Sequence, residues 1–381
     1  LSSKGKNLDR YSKGINHYWH EKYEKALKTF DKFIETHPND VGPWVWKAVV
    51  FAKLEKYDDA IKCYDTAISL DPQNDAIWSN KGGFFVKLER LDEALVCFDE
   101  VTRINPGNYD VWYRKRVILD KLKRYDDVIK CLDETIKIKP NNANIWNNKG
   151  MFLCKLEKHE EAIKCYDEAI RIDPENAGAL DYKGYSLFKL EKYEEAIICF
   201  EKSIGIDPYD DDIWSKKGVA LSKLENYEEA ILCFDTAIMI NPVNVCAINN
   251  KGFALGKLRE YEEAIKCYDK TIKINSDDDG AWCYKGLTLF YSRDYEEAIE
   301  CFDEAIMINS GNFSFWFYKG VALIDLRNYK EAIECFNRSL KINPNNVDAL
   351  NKKGFALSEL GEHDEAIKCY DEAIRIDPEM H

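Results

Sequence analysis

A period of 34 residues governs this chain. The tetrapeptide Lys-Cys-Tyr-Asp begins at Lys62, Lys164, Lys266 and Lys368, three periods apart each time, and variants such as Val96-Cys97-Phe98-Asp99 and Leu232-Cys233-Phe234-Asp235 fill the steps between. Counted from those cysteines, eleven units tile residues 7–40, 41–74, 75–108, 109–142, 143–176, 177–210, 211–244, 245–278, 279–312, 313–346 and 347–380 without insertion or deletion. Residues 1–6 are left over as an N-terminal remnant. A chain of 381 residues would ordinarily suggest two or three domains. The unbroken period suggests one array over residues 7–380 instead, because a short repeat buries its apolar face only by stacking on its neighbours.

The unit from Asp211 to Asn244 shows what is repeated. Ile213, Trp214, Gly218, Leu221 and Leu224 fall on one side at helical spacing, and Ala230, Ile231, Phe234, Ala237 and Ile238 do the same further on. Glu225-Asn226-Tyr227 between them is polar and short enough only for a tight turn. Glu228 and Glu229 open the second helix at its positive dipole end. Pro242 stops that helix, and Asn244 is placed to cap the next. Each unit is therefore an antiparallel helix pair, and the whole is all-α.

These residues resemble the tetratricopeptide repeat. Its pattern of early Trp, Gly, Ala, aromatic, Ala and late Pro stands in full as Trp146, Gly150, Ala162, Tyr166, Ala169 and Pro174. The glycine slot departs at Ala48 and Arg116, the following alanine slot at Val128, and the proline slot at Ser276 and Ser310. The resemblance implies an α-α superhelix, a right-handed solenoid of helix pairs, similar to prokaryotic and archaeal arrays. Gly and Ala belong where the paired helices cross, since overfilling such a contact costs about 1–3 kcal/mol. The unit 109–142, with Arg116 and Val128 together, should be the most loosely packed or splayed.

Chemistry finds little foothold. Ten of the thirteen cysteines share one slot of the second helix, from Cys63 and Cys97 to Cys335 and Cys369. Equivalent helices of successive units are separated by an intervening helix, which puts these thiols beyond disulfide reach and beyond a shared zinc. They read as small apolar residues, half-buried beside the aromatic that follows; Cys154 and Cys165, on paired helices of one unit, are the only couple worth checking for a pairing. Unpaired cysteines in so large a chain fit a reducing cytosol. The six histidines show no zinc-protease spacing and no neighbouring nucleophile, and no Gly-rich phosphate loop occurs. No enzyme activity, catalytic residue, metal or cofactor is expected. The net charge of −14 argues against a nucleic-acid partner, and no apolar run is long enough for membrane insertion.

Function then falls to the surface, where the family binds peptide segments in a concave groove lined by first helices. One lysine series precedes the glycine slot in all eleven units, as at Lys47, Lys81, Lys115 and Lys149, and reads as stems over the inter-helix seam facing acids such as Asp65 or Asp167. A second series, Lys53, Lys87, Lys121, Lys155, Lys189, Lys223 and Lys257, closes the first helix through seven units. It then stops at Tyr291, Asp325 and Glu359, which a helix-dipole argument does not explain. Facing the groove, it would be a basic stripe attracting an acidic peptide. Asn80, Asn148 and Asn250 could hold a peptide backbone, although Trp46, Arg114, Tyr182 and Lys216 interrupt that ladder. Beyond Lys257, Tyr284, Phe290, Tyr291, Phe317 and Tyr318 fall on or near the same surface as apolar anchors.

The expectation is a binding scaffold for a protein or peptide ligand. Two alternatives stand beside it. Uncapped terminal repeats would permit head-to-tail self-association into an assembly, and the array could be the recognition module of a larger enzyme such as a glycosyltransferase.

Overall fold

The computed structural model describes residues 3–378, with side chains from Tyr11 onward. The ends of the remnant and of the last repeat, at residues 1–2 and 379–381, and the side chain of Arg10 lie outside that description. All regular structure among the described residues is helical, and it falls into two compact units, Leu1–Pro174 and Glu175–His381.

The first unit holds α1 (Ser3–Trp19), α2 (Tyr23–Ile34), α3 (Val41–Lys53), α4 (Tyr57–Leu70), α5 (Asp75–Lys87), α6 (Leu91–Ile104), α7 (Tyr109–Lys121), α8 (Tyr125–Ile138), α9 (Ala143–Lys155) and α10 (His159–Ile172). The second holds α11 (Ala177–Lys189), α12 (Tyr193–Ile206), α13 (Asp211–Lys223), α14 (Tyr227–Ile240), α15 (Val245–Lys257) and α16 (Tyr261–Ile274). It continues through α17 (Asp279–Ser292), α18 (Tyr295–Ile308), α19 (Phe313–Asp325), α20 (Tyr329–Ile342), α21 (Val347–Glu359) and α22 (His363–Ile376). Within each unit an odd-numbered helix pairs with the even-numbered one after it, and each pair stacks on the next.

Local chemistry starts and stops these helices. Asp40, Asn108, Asn142, Asp210 and Asn244 accept backbone N–H groups at the starts of first helices, as Asn244 does from Ala247 at 2.9 Å. Second helices start without a side-chain cap but with acids in the first turn, such as Glu228 and Glu229. The turn within a pair is a Schellman motif: Asn226 N–H reaches the Leu221 carbonyl at 3.0 Å while Glu225 adopts φ +61°. In ten of the eleven pairs that left-handed position carries Glu, Lys or Arg, and only Gly361 gives it to glycine.

The turn between pairs is held by tryptophan. The indole N–H groups of Trp78, Trp146 and Trp214 donate to the carbonyls of Pro72, Pro140 and Pro208. Trp282 and Trp316 make the same bond to Ser276 and Ser310, so the staple needs the carbonyl and survives loss of the proline.

The core is built from one steric relation. Each glycine slot faces the aromatic ring sixteen residues on, as Gly82 faces Phe98 and Gly218 faces Phe234, with no room for a β-carbon. In the unit 109–142, where Arg116 replaces the glycine, Leu132 replaces the aromatic. Arg116 turns its guanidinium onto the Tyr113 ring at 4.9 Å instead of entering the seam. α7 and α8 accordingly pack less closely than any other described pair, and a recess of about 620 Å³ opens beside them between α6 and α8. The loosening expected there is present, and its cause is this coupled exchange.

Candidate functional site on the first helix of each pair

The lysine before the glycine slot is structural in eight pairs. Lys47, Lys81, Lys115 and Lys149 place their ammoniums 2.5–2.6 Å from Asp31, Asp65, Asp99 and Asp133 on the second helix of the preceding pair. Lys217, Lys251, Lys285 and Lys319 do the same in the second unit at 2.5–2.8 Å, Lys217 to a glutamate. Their stems lie along the seam, and several ammoniums also sit over a tryptophan face, as Lys47 does over Trp44 at 5.0 Å. With the acidic partner half exposed, each pair contributes at most about 1 kcal/mol. The series fastens pair to pair and leaves little charge for a ligand.

The second series is exposed at all seven positions. It is not uniformly available. Lys121 lies 3.5 Å from Glu89 and Lys155 lies 3.4 Å from Asp120. Lys189 and Lys257 lie over the rings of Tyr185 and Phe253. The Lys121 pair links the series to the charge of the turn inside the preceding pair. Glu89 occupies the left-handed turn position 32 residues before Lys121. That position holds Glu55 and Glu225 before Lys87 and Lys257, then becomes Arg259, Arg293 and Arg327 before Tyr291, Asp325 and Glu359. Where the turn becomes arginine the lysine 32 residues on is lost, whereas Lys123 precedes a retained Lys155 that turns to Asp120, and in the last two units a basic turn residue precedes an acid.

A recess of about 440 Å³ opens on the first-helix face of the first unit. Lys53, Asn80, Lys87 and Arg114 line it with Val49, Gly83 and Phe84, and no carboxylate does. Among the described residues, Lys53, Lys87 and Arg114 make no ion pair. The recess exists because of Gly83. Its slot carries Val49, Val117 and Met151 in neighbouring pairs. No packing demands the glycine, since a β-carbon there would meet nothing nearer than the Arg114 guanidinium at 3.7 Å. This second, off-phase glycine was the sequence signal for the recess, hidden beside the in-phase Gly82.

The other residues singled out in the sequence divide between surface and core. Asn148 is partly buried, and Asn250 donates to the Cys246 carbonyl of its own helix at 2.8 Å. Tyr284 and Tyr291 are exposed and share a recess of about 430 Å³ with Lys257. Tyr318, stacked against Phe302, lines a smaller recess of about 200 Å³ with Tyr291, Phe290 and Phe317. Lys216, which interrupts the asparagine ladder, is bound to a feature that sequence spacing did not disclose. Its ammonium lies 2.8 Å from the Asp181 carboxylate and 2.7 Å from Asp212. Asp181 is largely buried, and that burial raises its carboxyl above the ordinary range against the opposing pull of Lys216.

The repeat-phase cysteines are buried more deeply than half, Cys267 alone being intermediate. Burial pushes the thiols of Cys63, Cys97, Cys131 and Cys165 up to about 11. Cys154 turns its sulfur to the Tyr166 hydroxyl at 3.3 Å. Cys246 is exposed. No helix among the described residues is long and apolar enough to cross a membrane.

Comparison with known proteins agrees with this geometry. Profiles described as tetratricopeptide repeat match residues 43–74, 143–176, 212–244 and 347–380, and others so described match residues 11–40, 85–150 and 177–210. A TPR repeat profile matches residues 320–361, and one for anaphase-promoting complex, cyclosome, subunit 3 matches residues 257–339. No curated protein matches. Among solved structures, Naa15/Naa10 bound to HypK-THB aligns at TM-score 0.56 and 17% identity over 98% of this chain, which spans 64% of that one. Yeast Tom70 aligns at TM-score 0.48 and 13% identity over 100% of this chain and 93% of that one. YrrB, solved as a TPR protein with an unusual peptide-binding site, aligns at 0.42 and 25% identity over 47% of this chain and 92% of that one. With helix pairs recurring every 34 residues and repeat profiles matching along most of its length, the chain belongs to the tetratricopeptide repeat family.

Proposed function

We propose that this chain is a non-enzymatic scaffold that holds an extended acidic segment of a partner protein against the first helices of its first unit. The observation that carries the reading is the recess around Gly83, where every ionisable side chain except Tyr18 and Tyr64 is a cation. In a chain of net charge −14, a patch of one opposite sign marks a place kept for an anion. Lys53, Lys87 and Arg114 supply the charge, while Asn80 supplies an amide suited to a peptide backbone. Lys121 and Lys155 contribute less, because each already faces a carboxylate.

Fluorescence anisotropy with a labelled Asp/Glu-rich decapeptide tests this on the full chain. Binding should weaken with rising salt and fall at least about tenfold in Lys53→Glu/Lys87→Glu, the equivalent of roughly 1.4 kcal/mol. Gly83→Leu should have the same effect by filling the recess. Undiminished binding in both variants would remove the reading.

A further inference from the structure

The second unit carries a recess of different chemistry. Five aromatic side chains wall it: Phe253 from α15, Tyr261 and Tyr268 from α16, and Tyr284 and Tyr291 from α17. Tyr291 is 64% exposed and Tyr284 45%. The floor is Gly256. That slot carries Phe188, Phe290 and Ile324 in three other pairs of the same unit and serine, at Ser222 and Ser358, in the remaining two. A β-carbon at Gly256 would meet nothing closer than the Thr288 hydroxyl at 4.0 Å, so packing does not require the glycine. A glycine inside a helix destabilises it by roughly 0.5–1 kcal/mol relative to alanine. Here its effect is to leave open the space that a phenylalanine fills one repeat later.

The rim is charged on one sign only. Lys257 and Arg259 stand at the larger recess, and Lys352 stands at the smaller one that shares its Leu287 and Tyr291 wall. No carboxylate lines either. Among the described residues Lys257 and Arg259 form no ion pair; the Lys257 ammonium lies over the Phe253 ring at 5.3 Å. An apolar chamber beside unneutralised cations fits an apolar side chain with a carboxylate next to it, and it disfavours a purely acidic or a basic segment.

We propose that this recess is a second docking site, for an extended protein segment in which an aromatic or large aliphatic side chain is followed within a few residues by Asp or Glu. The apolar side chain enters over Gly256 between Tyr284 and Tyr291, and the carboxylate meets Lys257 and Arg259. The site shares with the proposed function only the premise that first-helix faces take extended segments; its residues are entirely separate.

Selection of random displayed dodecapeptides on the full chain, followed by affinity measurement on synthetic copies, tests the site. Enriched peptides should pair an aromatic or large aliphatic residue with a nearby acid. Gly256→Leu should weaken them by about tenfold or more, as loss of a central anchor pocket does. Gly256→Ala should melt higher than the parent and keep binding, which shows that filling, not the loss of glycine, is responsible. Should Gly256→Leu fail to fold, Tyr291→Lys at an exposed position makes the same test. Lys53→Glu/Lys87→Glu should leave these peptides unaffected. Absence of enrichment, enrichment of basic peptides, or binding indifferent to both Gly256→Leu and Tyr291→Lys overturns the site. Acidic peptides sensitive to Lys53 and Lys87 alone would overturn it while leaving the proposed function standing.

Discussion

Gly82 lies flat against the ring of Phe98, sixteen residues further on: a β-carbon at Gly82 would stand 2.6 Å from Cε1 of that ring. The relation recurs in nine units, gives way to Ala48 opposite Tyr64 in another, and fails where both partners change, to Arg116 and Leu132. Gly82→Val should therefore destabilise by about 1–3 kcal/mol through overpacking. Arg116→Gly with Leu132→Phe should melt higher than either single variant, since each change alone leaves a void or a clash. Thermal unfolding followed by circular dichroism reads both.

The left-handed turn positions offer a gain in stability. Glu225 adopts φ +61°, a conformation that strains a residue with a β-carbon and not glycine. The extra chain entropy that glycine loses on folding offsets part of the relief. Glu225→Gly should raise stability by roughly 0.5–1 kcal/mol, seen as a higher melting temperature; a lower one would show that the glutamate contributes a compensating contact.

The buried thiols make the fold sensitive to alkali. Their folded values near 11 for Cys63, Cys97, Cys301 and Cys335 exceed the unfolded value near 8.5. Between those limits the unfolded chain has released protons that the folded chain still holds, so stability falls as pH rises. The slope is at most about 1.4 kcal/mol per pH unit for each thiol. Melting temperature should drop steeply from pH 9 to 11, and replacing several of these cysteines by alanine should flatten the drop. At pH 8 a thiol reagent should modify exposed Cys246 first and the repeat-phase cysteines only on unfolding.

Lys216→Met should strand the Asp181 carboxylate, whose side chain is 14% exposed. The expected loss at neutral pH is about 2–3 kcal/mol, below the 3–5 kcal/mol typical of full burial because some solvent remains. Protonated Asp181 needs no cation, so the difference from the parent should shrink as pH falls toward 4. Urea titrations at pH 7 and pH 4.5 check the sign.

Within the second lysine series the effects should be unequal. Lys53→Glu/Lys87→Glu removes cations that line the recess, whereas Lys121→Glu/Lys155→Glu removes cations already facing Glu89 and Asp120. The first pair should weaken the acidic decapeptide at least about tenfold and the second less than about threefold. Equal effects would mean that the stripe acts as a diffuse field.

The 34-residue period alone determined the helix pairs, their turns, the crossing glycines and the weak unit at Arg116, because these depend on residues close in sequence or repeated in register. It also identified Lys53, Lys87, Asn80, Tyr284 and Tyr291 as surface candidates, since a residue's place in a periodic helix predicts which side it takes. Which of them share a recess was decided by tertiary structure. Lys121 meets Glu89 32 residues away, Lys216 meets Asp181 35 residues away, and Arg114 reaches over Gly83 from another helix. A period describes what every repeat has in common. The recesses at Gly83 and Gly256 come from what single repeats lack, and an absent side chain becomes a site only when neighbouring helices wall the space it leaves.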